Sequence, residues 1–132
     1  IIPAERMKMD NVHIVPLSNP VMDILDELKT LSPHSDYIFP SQLGHKKHMS
    51  NNTVLKALER MGYKGRMTGH GFRALGLSTI KEKLGYRHEV VDRQLAHAPR
   101  NAVDRAYDRA KFLDERTVMM QKWADYLDDL KK

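Results

Sequence analysis

Residues 68 to 85, TGHGFRALGLSTIKEKLG, read as one helix. It opens near Thr68, closes at Leu84 and Gly85, and turns Phe72, Leu75, Thr79, Ile80 and Leu84 toward a core at helical spacing. His70 and Arg73 lie three apart in its first turn or so, and their side chains project from nearly the same face. Free backbone N–H groups at a helix start attract an anion, and Gly69 and Gly71 leave room for a phosphate to approach. Taken alone, the pair reads more readily as a capping histidine and a surface arginine.

Downstream, a fourth helix spans about 88 to 96, and Pro99 breaks it. His97 stands at its end, where an imidazole can hydrogen-bond outward or simply cap the helix. Asn101 caps a short helix that carries RAYDRA, residues 105 to 110, and Tyr107 is wedged there between Arg105 and Arg109. Of the five tyrosines, Tyr37 belongs to an apolar strand, Tyr63 and Tyr86 follow glycines at helix ends, and Tyr126 lies on the last helix. Val103, Tyr107 and Ala110 also make plausible core spacing. The last helix, from about Asp114 to Leu130, is amphipathic through Val118, Met120, Trp123, Ala124, Leu127 and Leu130.

Upstream, residues 5 to 17 read as a hairpin with a strand ending near Met9, a turn at Asp10 and Asn11, and a second strand up to Pro16. Lys8 sits at or beside that turn. Ser18 or Asn19 caps a helix with Pro20 at its first position and Val21, Ile24, Leu25 and Leu28 as its buried stripe. DYIFPSQ at 36 to 42 is a short extended piece before the basic loop GHKKHMS. A second helix then runs from Ser50 or Asn51 through Val54, Leu55, Leu58 and Met61 until Gly62 stops it. The fold expected is α+β and mainly helical, with a small antiparallel β-sheet at the start packed against a helical bundle, in one domain.

A phenol, two imidazoles and a guanidinium suit attack on a phosphodiester without a metal. The phenol is the nucleophile, an imidazole handles its proton, and the planar guanidinium grips the non-bridging oxygens. The chain has no cysteine, which excludes disulfide frameworks, thiolate zinc sites and cysteine nucleophiles together. No apolar run reaches the length of a membrane span and no signal-peptide pattern opens the chain, so a cytoplasmic location is expected. Net charge is +5, but residues 44 to 73 hold seven basic side chains against Glu59 alone, a local +6. Such a segment attracts a phosphate backbone, with Lys46, Lys47, Arg66 and Arg105 as candidate contacts. Its plain alternative is a solvated lysine-rich face.

The run at 68 to 85, together with LAHAPRNAVDRAYDRA at 95 to 110 and MMQKWADYLD at 119 to 128, resembles the C-terminal catalytic domain of the tyrosine recombinases. Within them it is most similar to the phage-type integrases of prophages and genomic islands. ERMKM at 5 to 9 with HIVPLS at 13 to 18 resembles the hairpin that carries that family's catalytic lysine. The resemblance implies that Tyr107 attacks the scissile phosphate, forming a 3'-phosphotyrosyl link and releasing a 5'-hydroxyl. Lys8 would protonate that leaving oxygen, Arg73 and His97 would hold the non-bridging oxygens, and His70 would support proton transfer. It implies double-stranded DNA bearing attachment sites as partner, a homo-oligomer that is tetrameric on DNA, and neither metal nor ATP as cofactor.

One departure stands out. The family uses a second arginine ahead of the lysine hairpin, and no residue here matches it, since Arg6 lies within the hairpin motif. With Ile1, Ile2 and Pro3 reading as the middle of a strand, residues 1 to 132 are expected to be the later part of such a domain, inactive or impaired alone. Loss of one phosphate clamp costs roughly 3 to 4 kcal/mol. Two other function classes compete. A metal-dependent nuclease would use His45 with His48, or His70 with His97, but lacks an accompanying HExxH-like pair or carboxylate cluster. A non-catalytic DNA-binding or regulatory module would need only the basic segment.

Overall fold

The computed structural model describes residues 1–8, 10–97 and 112–132, with only the backbone of His45. Among them the helices are α1 (Asn19–Leu31), α2 (Thr53–Arg60), α3 (Gly69–Glu82), α4 (His88–Gln94) and α5 (Leu113–Asp129). Strands β1 (Pro40–Ser41) and β2 (Gly44–His48) stand between α1 and α2. The fold is therefore mainly helical α+β. No helix among the described residues is long and apolar enough to cross a membrane. Two compact units are present, Ile1–Ser18 with Gly76–Lys132, and Asn19–Leu75, and the boundary falls inside α3.

The first unit is built around Ile80, Val90, Val91 and Met119, all buried, with Leu77, Leu84, Tyr86, Phe112, Met120 and Trp123 packed on them. The α4–α5 packing that forms this core is edged by Arg87, just ahead of α4. Its guanidinium lies 2.7 Å from the Glu115 carboxylate and 5.3 Å from the centre of the Phe112 ring. That pair is exposed and is worth no more than about 1 kcal/mol, so the apolar contact carries the packing. The buried stripe of α5 is Arg116, Met119, Met120 and Trp123, the helical spacing i, i+3, i+4, i+7. Val118 and Leu127, expected in the core, are 53% and 40% exposed, and Leu130 is exposed too. Met120 and Trp123 face the core as expected, and Arg116 and Met119 complete the stripe in place of Val118 and Leu127.

Among the described residues the N-terminal hairpin is reduced to a single antiparallel bridge. Ile2 and His13 exchange backbone hydrogen bonds of 2.8 and 3.0 Å, and Ala4–Arg6 is a 3-10 turn rather than a strand. Pro3 is still extended, and the ladder ends because the next residue that would pair across, Ala4, opens the 3-10 turn instead. The antiparallel sheet consequently lies not at the start of the chain but at β1 and β2, paired Pro40 with His48 and Ser41 with Gly44. The basic stretch expected as a loop is thus largely a strand, braced by Met49 N–H donating to the Phe39 carbonyl at 2.8 Å and by the Tyr37 ring edge-on to His48.

In the second unit α1 starts within a residue of the expected position, with Pro20 in its first turn where a missing N–H costs nothing. Its stripe is only half realised. Leu25 and Leu28 are half-buried while Val21 and Ile24 are exposed, as are Val54 and Leu55 on α2, Met61 at its C-cap, and Phe72 and Leu75 on α3. No described residue of Asn19–Leu75 is buried.

Candidate active site

Thr68 sets the start of α3. Its hydroxyl accepts the Gly71 N–H at 3.0 Å and its carbonyl accepts the Phe72 N–H at 3.1 Å, which makes it the N-cap of the helix. His70 and Arg73 follow within the first turn, His70 exposed and Arg73 half-buried. A Cβ on Gly69 would meet nothing within 4 Å, whereas one on Gly71 would come 2.8 Å from Met67 Sδ. The open approach to this helix start is on the Gly69 side, because Met67 already fills the space beside Gly71.

The end of α4 places His97. Ala96 donates to the Arg93 carbonyl and His97 to the Asp92 carbonyl, each at 3.1 Å, with Ala96 at φ +57°. These two bonds are a Schellman turn, which brings the residue after the left-handed position back over the third residue from the helix end. The side chains of Asp92 and His97 meet there: His97 Nδ1 lies 2.5 Å from Asp92 Oδ1, with the imidazole 45% exposed. Lys8 is exposed in the turn that follows Ala4–Arg6.

A buried polar cluster fastens the lysine-bearing segment to the histidine-bearing turn within the first unit. His13, 3% exposed, donates from Nε2 to the Gln94 carbonyl at 3.2 Å. Arg116, fully buried, donates from Nε to Gln94 Oε1 at 2.9 Å and from Nη2 to the Ile14 carbonyl. Segment 13–14, the end of α4 and the first turns of α5 are thereby joined at one residue, Gln94, three positions ahead of His97. Composition and spacing did not single out His13, Asp92, Gln94 or Arg116. The signals were an acid five residues before His97 and a base three residues before Met119.

His70 and Arg73 share one helical turn of the second unit, while Lys8 and His97 belong to the first. Tyr107 and Arg105, with the short helix expected to carry them, lie outside the described residues. Lys46 and Lys47 are exposed on β2, and Arg66 is exposed in the turn closed by its N–H on the Tyr63 carbonyl. An open groove of about 560 Å³ runs beside β2, lined by Tyr37, Phe39, His48 and Asn51 among others and by none of the expected catalytic residues. Among the described residues no three His, Cys, Asp or Glu side chains gather as a metal site.

The model of the phage integrase family matches residues 1–113. The chain is 42% identical over 124 residues to the prophage integrase IntA of Escherichia coli strain K12, covering 94% of this chain and 30% of that protein. It is 45% identical over 125 residues to the integrase of Enterobacteria phage P4, covering 92% and 28%. To the integrase of Shigella phage Sf6 it is 38% identical over 129 residues, covering 97% and 33%. The chain spans about a third of the length of these relatives. No solved structure gives a significant match. A family match over most of the chain, together with identities near 40% across nearly all of it, establishes that the chain belongs to the phage integrase family.

Proposed function

We propose that this chain carries catalytic groups for site-specific DNA recombination of the kind that integrates and excises a prophage or genomic island. The observation that carries the reading is the capped first turn of α3, which presents His70 and Arg73 together in a member of the phage integrase family. His97 and Lys8 add an imidazole and an ammonium that both reach solvent. Tyr107 is proposed as nucleophile from its place in the motif.

The chemistry balances without an external energy source. The Tyr107 oxygen forms a bond to phosphorus as the bond from phosphorus to the 5'-oxygen breaks. The phenolic proton passes to His70 or to water that it orients, and Lys8 donates a proton to the departing 5'-oxygen. Arg73 and His97 hold the non-bridging oxygens as charge builds on them. The phosphotyrosyl bond retains the energy of the phosphodiester, and a 5'-hydroxyl from partner DNA reverses the step. Lys46, Lys47, Arg66 and Arg105 bind the duplex backbone, and strand exchange between two sites calls for a homo-oligomer, a tetramer on DNA.

A second arginine clamp, which the family places ahead of the lysine, has no counterpart among these residues. The 132 residues by themselves should cleave slowly, by the roughly 3 to 4 kcal/mol that one oxyanion donor contributes. The test is a nicked suicide substrate incubated in EDTA with the longest form of the protein that its coding sequence supplies. A covalent protein–DNA adduct is expected, and Tyr107→Phe should abolish it. An adduct that persists in this variant removes Tyr107 as nucleophile. Salt-sensitive DNA binding with no adduct at all would leave the non-catalytic DNA-binding reading, which the exposed lysines of β2 also support.

A further inference from the structure

We propose that Asp92 is a positioning residue for His97, fixing the imidazole so that its Nε2 edge is the one presented to a phosphate. This rests on the reading of His97 as a phosphate contact. The Schellman turn at the end of α4 sets the two side chains against each other, and that motif usually fills the pair with apolar groups in simple contact. Here the pair is a carboxylate and an imidazole, 2.5 Å apart through Nδ1. A carboxylate can only accept, so Nδ1 carries the proton, and the ring cannot rotate by half a turn without losing that bond. Nε2, on the opposite edge, is the ring atom left for a ligand. When the ring holds both protons, Nε2–H donates to an oxyanion while Nδ1–H remains on Asp92.

The backbone of this turn is held independently of the ring. The Gln94 carbonyl accepts from His13, and the Gln94 side chain accepts from buried Arg116. The turn can therefore keep its shape when the carboxylate is removed, and what is lost is the orientation of the ring. A side chain that orients a functional histidine usually matters by one to two orders of magnitude in what the histidine does. Asp92, its side chain 32% exposed, sets one carboxylate oxygen on the imidazole and is not proposed to touch DNA.

The experiment compares single-turnover adduct formation on the nicked substrate for wild type, Asp92→Ala, Asp92→Asn and His97→Ala, and for Asp92→Ala combined with His97→Ala. Expected are a loss of about 10- to 100-fold in rate for Asp92→Ala, unchanged DNA affinity, and partial recovery in Asp92→Asn, whose amide oxygen still accepts from Nδ1–H. In the His97→Ala background Asp92→Ala should cost nothing further, since the two act as one unit. A merely structural role would give additive losses and lower affinity, and either result overturns the proposal. Nitrogen-15 NMR of the His97 ring supplies a readout free of catalysis: the Nδ1–H form in wild type should give way to a tautomer mixture in Asp92→Ala. If wild type forms no adduct, the functional reading fails, and an unchanged ring signature in Asp92→Ala would sink the positioning claim on its own terms.

Discussion

At the end of α2, Gly62 N–H donates to the Glu59 carbonyl and Tyr63 N–H to the Leu58 carbonyl, at 3.1 and 2.9 Å. At the end of α4, Ala96 and His97 make the same two bonds to Arg93 and Asp92. The turns are identical in pattern and differ in what fills them. The first has glycine at its left-handed position and Leu58 with Tyr63 as its facing pair, the composition such a helix stop ordinarily carries. The second has alanine at φ +57° and a carboxylate facing an imidazole. One turn ends a helix, and the other also holds a side chain in a fixed attitude. The surroundings differ in the same sense, since the turn after α4 is braced by the fully buried Arg116 and lies in the unit with the core, while the unit around α2 has no buried residue among those described.

The strongest way to break this contrast is to remove the brace. Arg116→Met keeps length and apolar volume but deprives Gln94 and the Ile14 carbonyl of their donor, and a buried acceptor stripped of its partner costs about 1 to 3 kcal/mol. With two such acceptors, urea unfolding should show a loss of about 2 to 6 kcal/mol. Adduct formation should fall more than DNA affinity, because the His97 turn and the lysine-bearing segment lose their shared anchor. Leu58→Ala, at the half-buried counterpart in α2, should cost clearly less, because its side chain is not fully removed from water to begin with. Equal losses at the two sites would mean that Arg116 is not what distinguishes them.

How far these differences were legible in the sequence depends on the physics behind each. The extents of α1, α3 and α5 follow from caps, a proline tolerated in the first turn and the heptad-like spacing of apolar residues, and they read correctly to within a residue or two. HGFR was legible as a paired histidine and arginine because three residues on a helix always share a face. Burial was not: Val21 and Ile24 have the right spacing for a core, but spacing says which residues face the same way and not what they face. Arg116 was invisible as a core residue because a charged side chain is almost never fully buried unless partnered, and its partners, Ile14 and Gln94, are distant in the chain. The shift of the sheet from the N-terminal segment to residues 40–48 goes with the 3-10 turn at Ala4–Arg6, which takes the residues after Pro3 out of the extended conformation that their alternation suggests.

The second unit can be set against the first by its charge rather than its packing. Lys46 and Lys47 stand exposed on β2, and no buried network depends on them. Replacing both by alanine should leave the unfolding midpoint unchanged while lowering duplex affinity about tenfold at moderate salt. The slope of log affinity against log salt should fall by about 2, one counterion per lost phosphate contact. A change in adduct rate at saturating DNA, with affinity intact, would contradict the proposed division of labour between a charged surface that binds DNA and a braced turn that holds a phosphate contact.

The mildest test exchanges the residues at the two left-handed positions. A Cβ in the left-handed region meets the following carbonyl at a cost of about 1 to 2 kcal/mol, and alanine recovers roughly half of that by restricting the unfolded chain. Gly62→Ala should thus destabilise by about 0.5 to 1 kcal/mol, with no steric contribution, since a Cβ there meets nothing within 4 Å. Ala96→Gly should stabilise by a similar amount while the His97 ring keeps its Nδ1–H signature, because Asp92 and the backbone bonds that oppose it are untouched. If Ala96→Gly instead lowers stability, or loosens the ring, then alanine is not merely tolerated after α4. Its narrower backbone range would then be part of what keeps the imidazole against Asp92, a constraint that the turn after α2, with no side chain to hold, does without.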